Sequence, residues 1–146
     1  MISVADFMTK DLVTVRESDD VALAEALLRL GGIRHLPVVR DHKLVGILTQ
    51  RDILRSGASG KAGAREIAVS DVMTREPTSV RPAMALSHAA RLMLERKYGC
   101  LPVCDNEGKL VGIVTEADFV RFAADVVQDL DLVAEAVRAQ DRPGSA

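Results

Sequence analysis

The sequence predicts a mixed α/β fold in which two β-α-β-β-α repeats, related by pseudo-two-fold symmetry, share one core and are followed by an extended C-terminal helix. The first observation is an internal repeat. Blocks of sequence return 65 or 66 residues further along, as Lys43–Thr49 does at Lys109–Thr115. The second is that each copy alternates short β-branched runs with a segment of helical periodicity. The third is the length of 146 residues, which two such copies fill and which suits one ordinary domain.

The first repeat opens with a short β-branched strand at Thr14 and Val15. From Asp19 to Leu30 apolar residues recur at helical spacing, with Ser18 as the expected N-cap and Gly31–Gly32 as the stop. Two strands and a further helix complete the repeat. We expect strands at His35–Val39 and Leu44–Leu48, a turn at Asp41–His42 and a helix from Thr49.

The second repeat follows the same order. Ser79 and Val80 form the expected short strand, and a helix is expected from about Ala83 to Lys97, with Gly99 after it. Two strands, a loop and a last helix follow. The strands are predicted at Cys100–Cys104 and Leu110–Val114, the loop between them at Asp105–Gly108, and the helix from Thr115 onward.

These elements predict the division of the chain. The first repeat covers residues 1–57, and a linker rich in Gly, Ala and Ser covers 58–67. The second repeat covers 68–125, a C-terminal helix extension covers 126–140, and a disordered tail covers 141–146.

Composition restricts the function. A net charge of −2 argues against a sequence-independent nucleic-acid binder, which needs a basic face. No apolar run approaches the roughly 18 residues of a membrane span, and the first residues do not resemble a signal peptide. Two cysteines four residues apart cannot form a disulfide framework. We therefore expect a soluble cytoplasmic protein without a nucleic-acid or membrane partner.

The most informative motif is Thr-x-x-Asp at the junction of a strand and a helix. It occurs twice, as Thr49 with Asp52 and as Thr115 with Asp118. One interpretation is a capping box, in which the two side chains satisfy the first turn of the helix. The other is a ligand site, because a helix N-terminus presents N–H groups and an Asp can accept both hydroxyls of a ribose. In that interpretation Gly46 leaves room for a ring close to the backbone.

The paired repeats, the strand Leu-Pro-Val and the motif Gly-Ile-Leu-Thr-x-x-Asp together resemble tandem CBS domains, the family named after cystathionine β-synthase. The resemblance covers residues 2 to about 125. It implies two clefts between the repeats and an adenosyl effector, namely AMP, ADP, ATP or S-adenosylmethionine, with no required cofactor. It also implies that the Asp binds the ribose, that the Thr lies near the ribose or phosphate, and that the short first strand and the Leu-Pro-Val strand frame the adenine. Carried over, the candidate ligand-binding residues are Thr14, Val15, Ile33, Arg34, His35, Thr49, Arg51, Asp52, Ser79, Val80, Tyr98, Thr115 and Asp118.

The repeats differ in the cations expected near a phosphate. Arg34 and His35 precede the first Leu-Pro, and Arg51 follows the first Thr, whereas Gly99, Cys100 and Ala117 occupy the corresponding positions of the second repeat. A guanidinium suits phosphate because it donates two parallel hydrogen bonds. The alternatives are that Arg34 is a solvated surface residue and that His35 packs at a strand edge.

Catalysis and metal binding have little support. Cys100 and Cys104 lie on one strand, too far apart to share a zinc ion directly, and free cysteines are usually small core residues. No spacing suggests a catalytic dyad or triad. We therefore predict no catalytic residue, no metal and no enzyme activity.

The last helix carries a heptad stripe from Phe119 to Val137. The stripe either covers the core of its own chain or packs on a second subunit, and the second interpretation predicts a homodimer. The leading functional prediction is a stand-alone sensor that binds an adenosyl ligand and signals to an unidentified target protein in trans. The alternative is a structural dimerisation module with degenerate clefts and no physiological ligand.

Overall fold

The structure is a computed structural model that describes residues 1–58 and 67–144. The predicted linker lies outside the described residues except for Ala58 and Ile67 at its ends, and so do the last two residues of the predicted tail. The chain divides into two compact units, one from Met1 to Val114 and one from Thr115 onward. Among the described residues, no helix is both long and apolar enough to cross a bilayer.

The first repeat contains the expected elements in the expected order, preceded by a short helix. They are α1 (Val4–Phe7), β1 (Val15–Arg16), α2 (Val21–Gly31), β2 (His35–Arg40), β3 (Lys43–Thr49) and α3 (Gln50–Ser56). Gly32 ends α2 in the left-handed conformation at φ 61°, which confirms the predicted stop. The predicted cap, Ser18, is wrong, because α2 begins later and the carboxylate of Asp20 accepts a hydrogen bond from the Leu23 N–H.

The second repeat repeats this order with two local differences. It contains a 3₁₀ turn (Val69–Asp71), β4 (Thr74–Arg75), α4 (Leu86–Arg96), β5 (Cys100–Cys104), β6 (Leu110–Thr115) and α5 (Glu116–Gln140). The predicted strand at Ser79–Val80 is only a single parallel bridge between Val80 and Val103. The predicted helix end at Lys97 is confirmed, since Lys97, at φ 57°, is the C-cap of α4, but the helix begins at Leu86 and not at about Ala83.

The described strands form a sheet of order β1-β2-β3-β4 and a hairpin of β5 and β6. β1 is parallel to β2, and the other neighbours are antiparallel. The turn predicted at Asp41–His42 is confirmed: both residues have positive φ, 50° and 67°, as a tight two-residue hairpin turn requires.

The segments at residues 1–9 and 67–75, here called the leading segments, each pair with the other repeat. Thr74 of the second segment pairs with Ile47 of β3, and Thr9 of the first pairs with Ile113 of β6. The hydrogen bonds of the two segments also correspond: the Val4 N–H donates to the Met84 carbonyl and the Val69 N–H donates to the Asp19 carbonyl, each with an N···O distance of 2.8 Å. The two repeats are therefore joined by reciprocal backbone hydrogen bonds.

The pseudo-two-fold axis passes between the two hairpins. Lys43 and Lys109, which occupy the same repeat position, form an antiparallel bridge with each other. The Leu44 N–H donates to the Gly108 carbonyl at 3.3 Å, and the Leu110 N–H donates to the His42 carbonyl at 3.0 Å. A bridge between equivalent residues is what a two-fold relation produces, so the predicted symmetry is confirmed.

The core of the first repeat draws on both repeats. Buried side chains of α2, β1, β2, β3 and α3 contact Val69 and Met73 of the second leading segment. Leu36, Leu48 and Ile53 are fully buried there. This packing fixes the end of β3 and the start of α3, where the first Thr-x-x-Asp motif lies.

Candidate functional site

The first Thr-x-x-Asp motif is a capping box in the structure. The Asp52 N–H donates to Thr49 Oγ1 at 3.2 Å, and the Thr49 N–H donates to Asp52 Oδ2 at 2.9 Å. The Thr49 hydroxyl lies 3.1 Å from the same carboxylate oxygen. The capping interpretation is therefore confirmed. The same contacts hold the Asp52 carboxylate in one orientation at the end of β3, with part of its surface exposed.

Thr74, which the residue pattern did not single out as a site residue, lies beside this motif. Its hydroxyl is 3.4 Å from Asp52 Oδ1, the carboxylate oxygen that the cap does not use. Pairing of β4 with β3 brings it there. The recurring Met-Thr ending of the leading segments was visible in the sequence, but nothing local showed that the second segment packs on the first repeat.

Gly46 has a different role from the one expected. A Cβ at Gly46 would lie 2.5 Å from Met73 Sδ and 3.0 Å from the Thr74 carbonyl oxygen. The expectation that this glycine leaves room for a ligand ring is therefore wrong, because Met73 already fills that space. Gly112 faces Met8 in the same way, so each glycine accommodates the leading segment of the other repeat.

The remaining candidates of the first repeat lie around β2. His35 stands directly opposite Thr49 in the β2–β3 register, which brings it next to the motif. Ile33 is half-buried and packs against the core, and Val15 is buried in β1, so their side chains stabilise the fold. Thr14 is half-buried beside Val15.

Arg34 and Arg51 are both exposed. Neither takes part in the ion pairs found among the described residues. The pairing of His35 with Thr49 places the start of β2, next to Arg34, and the end of β3, next to Arg51, at the same end of the hairpin.

The candidates of the second repeat fall into two groups. In the unit that ends at Val114, Ser79 is exposed, Val80 is buried in the core, and the Tyr98 hydroxyl is 3.0 Å from that of Thr78. In the unit that begins at Thr115, Thr115 and Asp118 form a second capping box, in which the Thr115 N–H donates to Asp118 Oδ2 at 2.9 Å. Arg121 forms an ion pair with Asp118 Oδ1 at 3.2 Å.

The two thiols are protonated at neutral pH. Burial raises the pKa of Cys100 to about 12. Burial also raises the pKa of Cys104, although a hydrogen bond with Ser79 opposes the shift. A protonated thiol is a poor nucleophile and a poor metal ligand. Within the described part of the chain, no three His, Cys, Asp or Glu side chains cluster as metal ligands do.

A sequence model of the CBS domain family matches residues 4–59 and 69–125. The chain therefore belongs to the CBS domain family and carries two copies of the domain. The CBS domain-containing protein YhcV of Bacillus subtilis is 39% identical over 119 residues, which are 81% of this chain and 83% of that protein.

Larger enzymes also contain this region. Inosine-5'-monophosphate dehydrogenase of Korarchaeum cryptofilum is 38% identical over 112 residues, which are 77% of this chain and 22% of the enzyme. The chain thus spans about a fifth of that relative and matches its CBS region. The activity of the enzyme is not transferred by this match.

Solved structures with the same fold include liganded ones. CBSX2 in complex with AMP has a TM-score of 0.74 and 38% identity, covering 86% of this chain and 98% of that one. The CBS domain pair of protein MJ0100, in complex with 5'-methylthioadenosine and S-adenosylmethionine, has a TM-score of 0.74 and 28% identity, covering 86% and 98%. A putative acetoin utilization protein (AcuB) from Vibrio cholerae has a TM-score of 0.79 and 35% identity, covering 98% and 99%.

Proposed function

We propose that this chain is a regulatory module that binds an adenosyl ligand (AMP, ADP, ATP or S-adenosylmethionine) at the first Thr-x-x-Asp motif and signals its occupancy to a target protein in trans. The observation that carries the proposal is the Asp52 carboxylate. One oxygen, Oδ2, is fixed by the cap, and the other, Oδ1, has one long contact among the described residues, to the Thr74 hydroxyl. Complexes of CBS pairs with AMP and with S-adenosylmethionine support the ligand class.

Each residue has a role in this proposal. Asp52 accepts the ribose hydroxyls, and Thr49 keeps the carboxylate oriented. Arg34 and Arg51 supply the positive charge for a phosphate, since they are exposed and form no competing ion pair within the described part of the chain. His35 lines the same end of the hairpin. A second site at Thr115 and Asp118 stays a prediction, as do the absence of enzyme activity and the cytoplasmic location; a relative, CBSX1 of Arabidopsis thaliana, is chloroplastic.

Calorimetry with AMP, ATP and S-adenosylmethionine tests the proposal. We expect micromolar dissociation constants, and Asp52→Asn should weaken binding by about tenfold or more, because a hydrogen bond to a charged group contributes about 1.5–3 kcal/mol. Asp11→Asn is the matched control, since Asp11 is exposed and lies outside the motif. Absence of saturable binding for all three ligands at millimolar concentration would contradict the proposal.

A second candidate function is a dimerisation module. None of the described residues of α5 is buried, and Leu130 and Val133 are 62% and 61% exposed, so its heptad stripe is available to a second copy. Light scattering on the wild type and on a Leu130→Glu, Val133→Glu variant tests this. We expect a dimer that the double change dissociates, because burying unpaired charge is costly. A wild type that is monomeric at high concentration would exclude the homodimer.

A further inference from the structure

The acceptor positions of Asp52 are unevenly used. An ionised carboxylate offers about four lone-pair positions on two oxygens. Oδ2 accepts from the Thr49 N–H and lies within hydrogen-bond distance of the Thr49 hydroxyl. Oδ1 has the Thr74 hydroxyl at 3.4 Å, near the long limit for a hydrogen bond. Oδ1 therefore keeps most of its acceptor capacity, and its one contact with the described residues is weak enough to be rearranged.

The position of Thr74 is fixed by its backbone. Thr74 pairs with Ile47 in the β3–β4 register, and the next residue, Arg75, pairs with Gly46. The preceding residue, Met73, is 8% exposed and packs on Gly46. A hydroxyl from the second repeat is thus held at the carboxylate of the first repeat by contacts on both sides.

We propose that Thr74 is a positioning residue of the ligand site. Its hydroxyl steers Asp52 Oδ1 toward a vicinal diol, so that binding of a ribose depends on the leading segment of the second repeat. This inference rests on the proposed function. It adds that recognition of the sugar is shared between the repeats, and that occupancy of the first site is coupled to the β3–β4 contact.

The experiment compares AMP with 2'-deoxy-AMP, which lacks one hydroxyl of the diol. Thr74→Val keeps the shape and strand propensity of the side chain but removes the hydroxyl. We expect this variant to bind AMP about fivefold more weakly, which is the size of one modest hydrogen bond, and to bind 2'-deoxy-AMP with nearly unchanged affinity. Thr74→Ser, which restores a hydroxyl, should recover the preference for AMP. A purely structural role would weaken both ligands equally and lower the melting temperature of the free protein.

Two controls make the outcomes distinct. The binding that is lost in Asp52→Asn is assigned to the first site, and only the affinity of that site is compared between variants. Thr9→Val is the same substitution at the equivalent position of the other leading segment. It should leave the preference of the first site for AMP over 2'-deoxy-AMP unchanged. Binding that needs Asp52 but not the Thr74 hydroxyl would overturn this inference alone. Absence of binding by the wild type would overturn the proposed function and this inference with it.

Discussion

Asp52 and Asp118 occupy the same position in the two repeats, and Oδ2 of each accepts a hydrogen bond from the N–H of its own capping Thr, yet their second carboxylate oxygens, Oδ1, have different partners. Oδ1 of Asp52 faces the Thr74 hydroxyl, whereas that of Asp118 forms an ion pair with Arg121. Arg55 is the counterpart of Arg121 and forms no ion pair among the described residues. Duplication has therefore preserved the cap, which the helix requires, and allowed the electrostatics of the outward face to diverge.

The same contrast between conserved geometry and different surroundings applies to the two strand glycines. Met73, which packs on Gly46, is buried, and the Thr74 carbonyl oxygen would lie 3.0 Å from a Cβ at Gly46. Met8, over Gly112, is half-buried, and all three nearest atoms belong to its own side chain. A backbone atom cannot move aside as a flexible thioether can, so the first junction is the more rigid of the two.

The largest expected effect separates these junctions. Gly46→Ala should lower the free energy of unfolding by about 1–3 kcal/mol, the usual cost of overfilling a packed site. Gly112→Ala should lower the free energy of unfolding by less, because the half-buried Met8 side chain can change its rotamer and move toward solvent. Urea unfolding of both variants measures the difference.

Double-mutant cycles sharpen this test. Combining Gly112→Ala with Met8→Ala should recover most of the lost free energy of unfolding. Combining Gly46→Ala with Met73→Ala should recover less of it, since the Thr74 carbonyl oxygen stays 3.0 Å from the added Cβ. Equal losses and equal recovery would show that the two junctions are energetically alike.

A second prediction concerns the phosphate. Arg34→Ala should weaken the binding of AMP about tenfold and leave the binding of adenosine unchanged, because the lost interaction is a charge-assisted hydrogen bond to the phosphate. Gly99→Ala, at the corresponding position of the second repeat, should change neither affinity. Arg29→Ala serves as the control for net charge, since Arg29 is exposed in the last turn of α2. An equal loss for adenosine and AMP would assign Arg34 a structural role.

A third prediction compares the caps. Thr49→Ala should cost about 1 kcal/mol, the typical contribution of an N-cap hydroxyl. Fraying of α3 also loosens Ile53, which is fully buried. Thr115→Ala should cost less, because none of the described residues of α5 is buried.

Thermal unfolding followed by circular dichroism measures both variants, and Thr→Ser at each site should retain nearly full stability. A larger loss at Thr115 than at Thr49 would mean that α5 contributes more to stability than its exposure indicates.

How far an element of this protein can be predicted from its sequence depends on the sequence separation of the residues that form it. Periodicity and turn residues predicted α2 to α5 and the two hairpins, and they offered the capping box as one interpretation of each Thr-x-x-Asp motif, since these features depend on neighbours within a few positions. The cap of α2 was predicted at Ser18 and lies at Asp20. Ser and Asp both cap helices, and the Val21 N–H at the helix start donates to the carbonyl of Ile67, which is distant in sequence. The roles of Gly46 and Thr74 depend on the exchange of leading segments, and a strand glycine indicates a close approach without identifying its partner.

The smallest expected effect lies on the pseudo-two-fold axis. The hydrogen bonds beside the Lys43–Lys109 bridge show that these residues form a non-hydrogen-bonded pair, in which the side chains are close. Like charges directly opposite each other are destabilising, although Glu107 lies 3.2 Å from Lys109 Nζ and offsets part of the repulsion. Lys43→Glu should therefore stabilise the protein by about 0.2–1 kcal/mol.

Lys43→Gln separates removal of the repulsion from gain of an attraction and should give an intermediate stability. Adding Lys109→Glu to Lys43→Glu restores like charges, so the double variant should lose the gain. Urea unfolding in 0.1 M and 1 M salt provides the decisive comparison, because the Debye length falls from about 10 Å to about 3 Å and screens an exposed pair. A gain that persists in 1 M salt would show that Lys43 acts through the local conformation of its hairpin and not through its charge opposite Lys109.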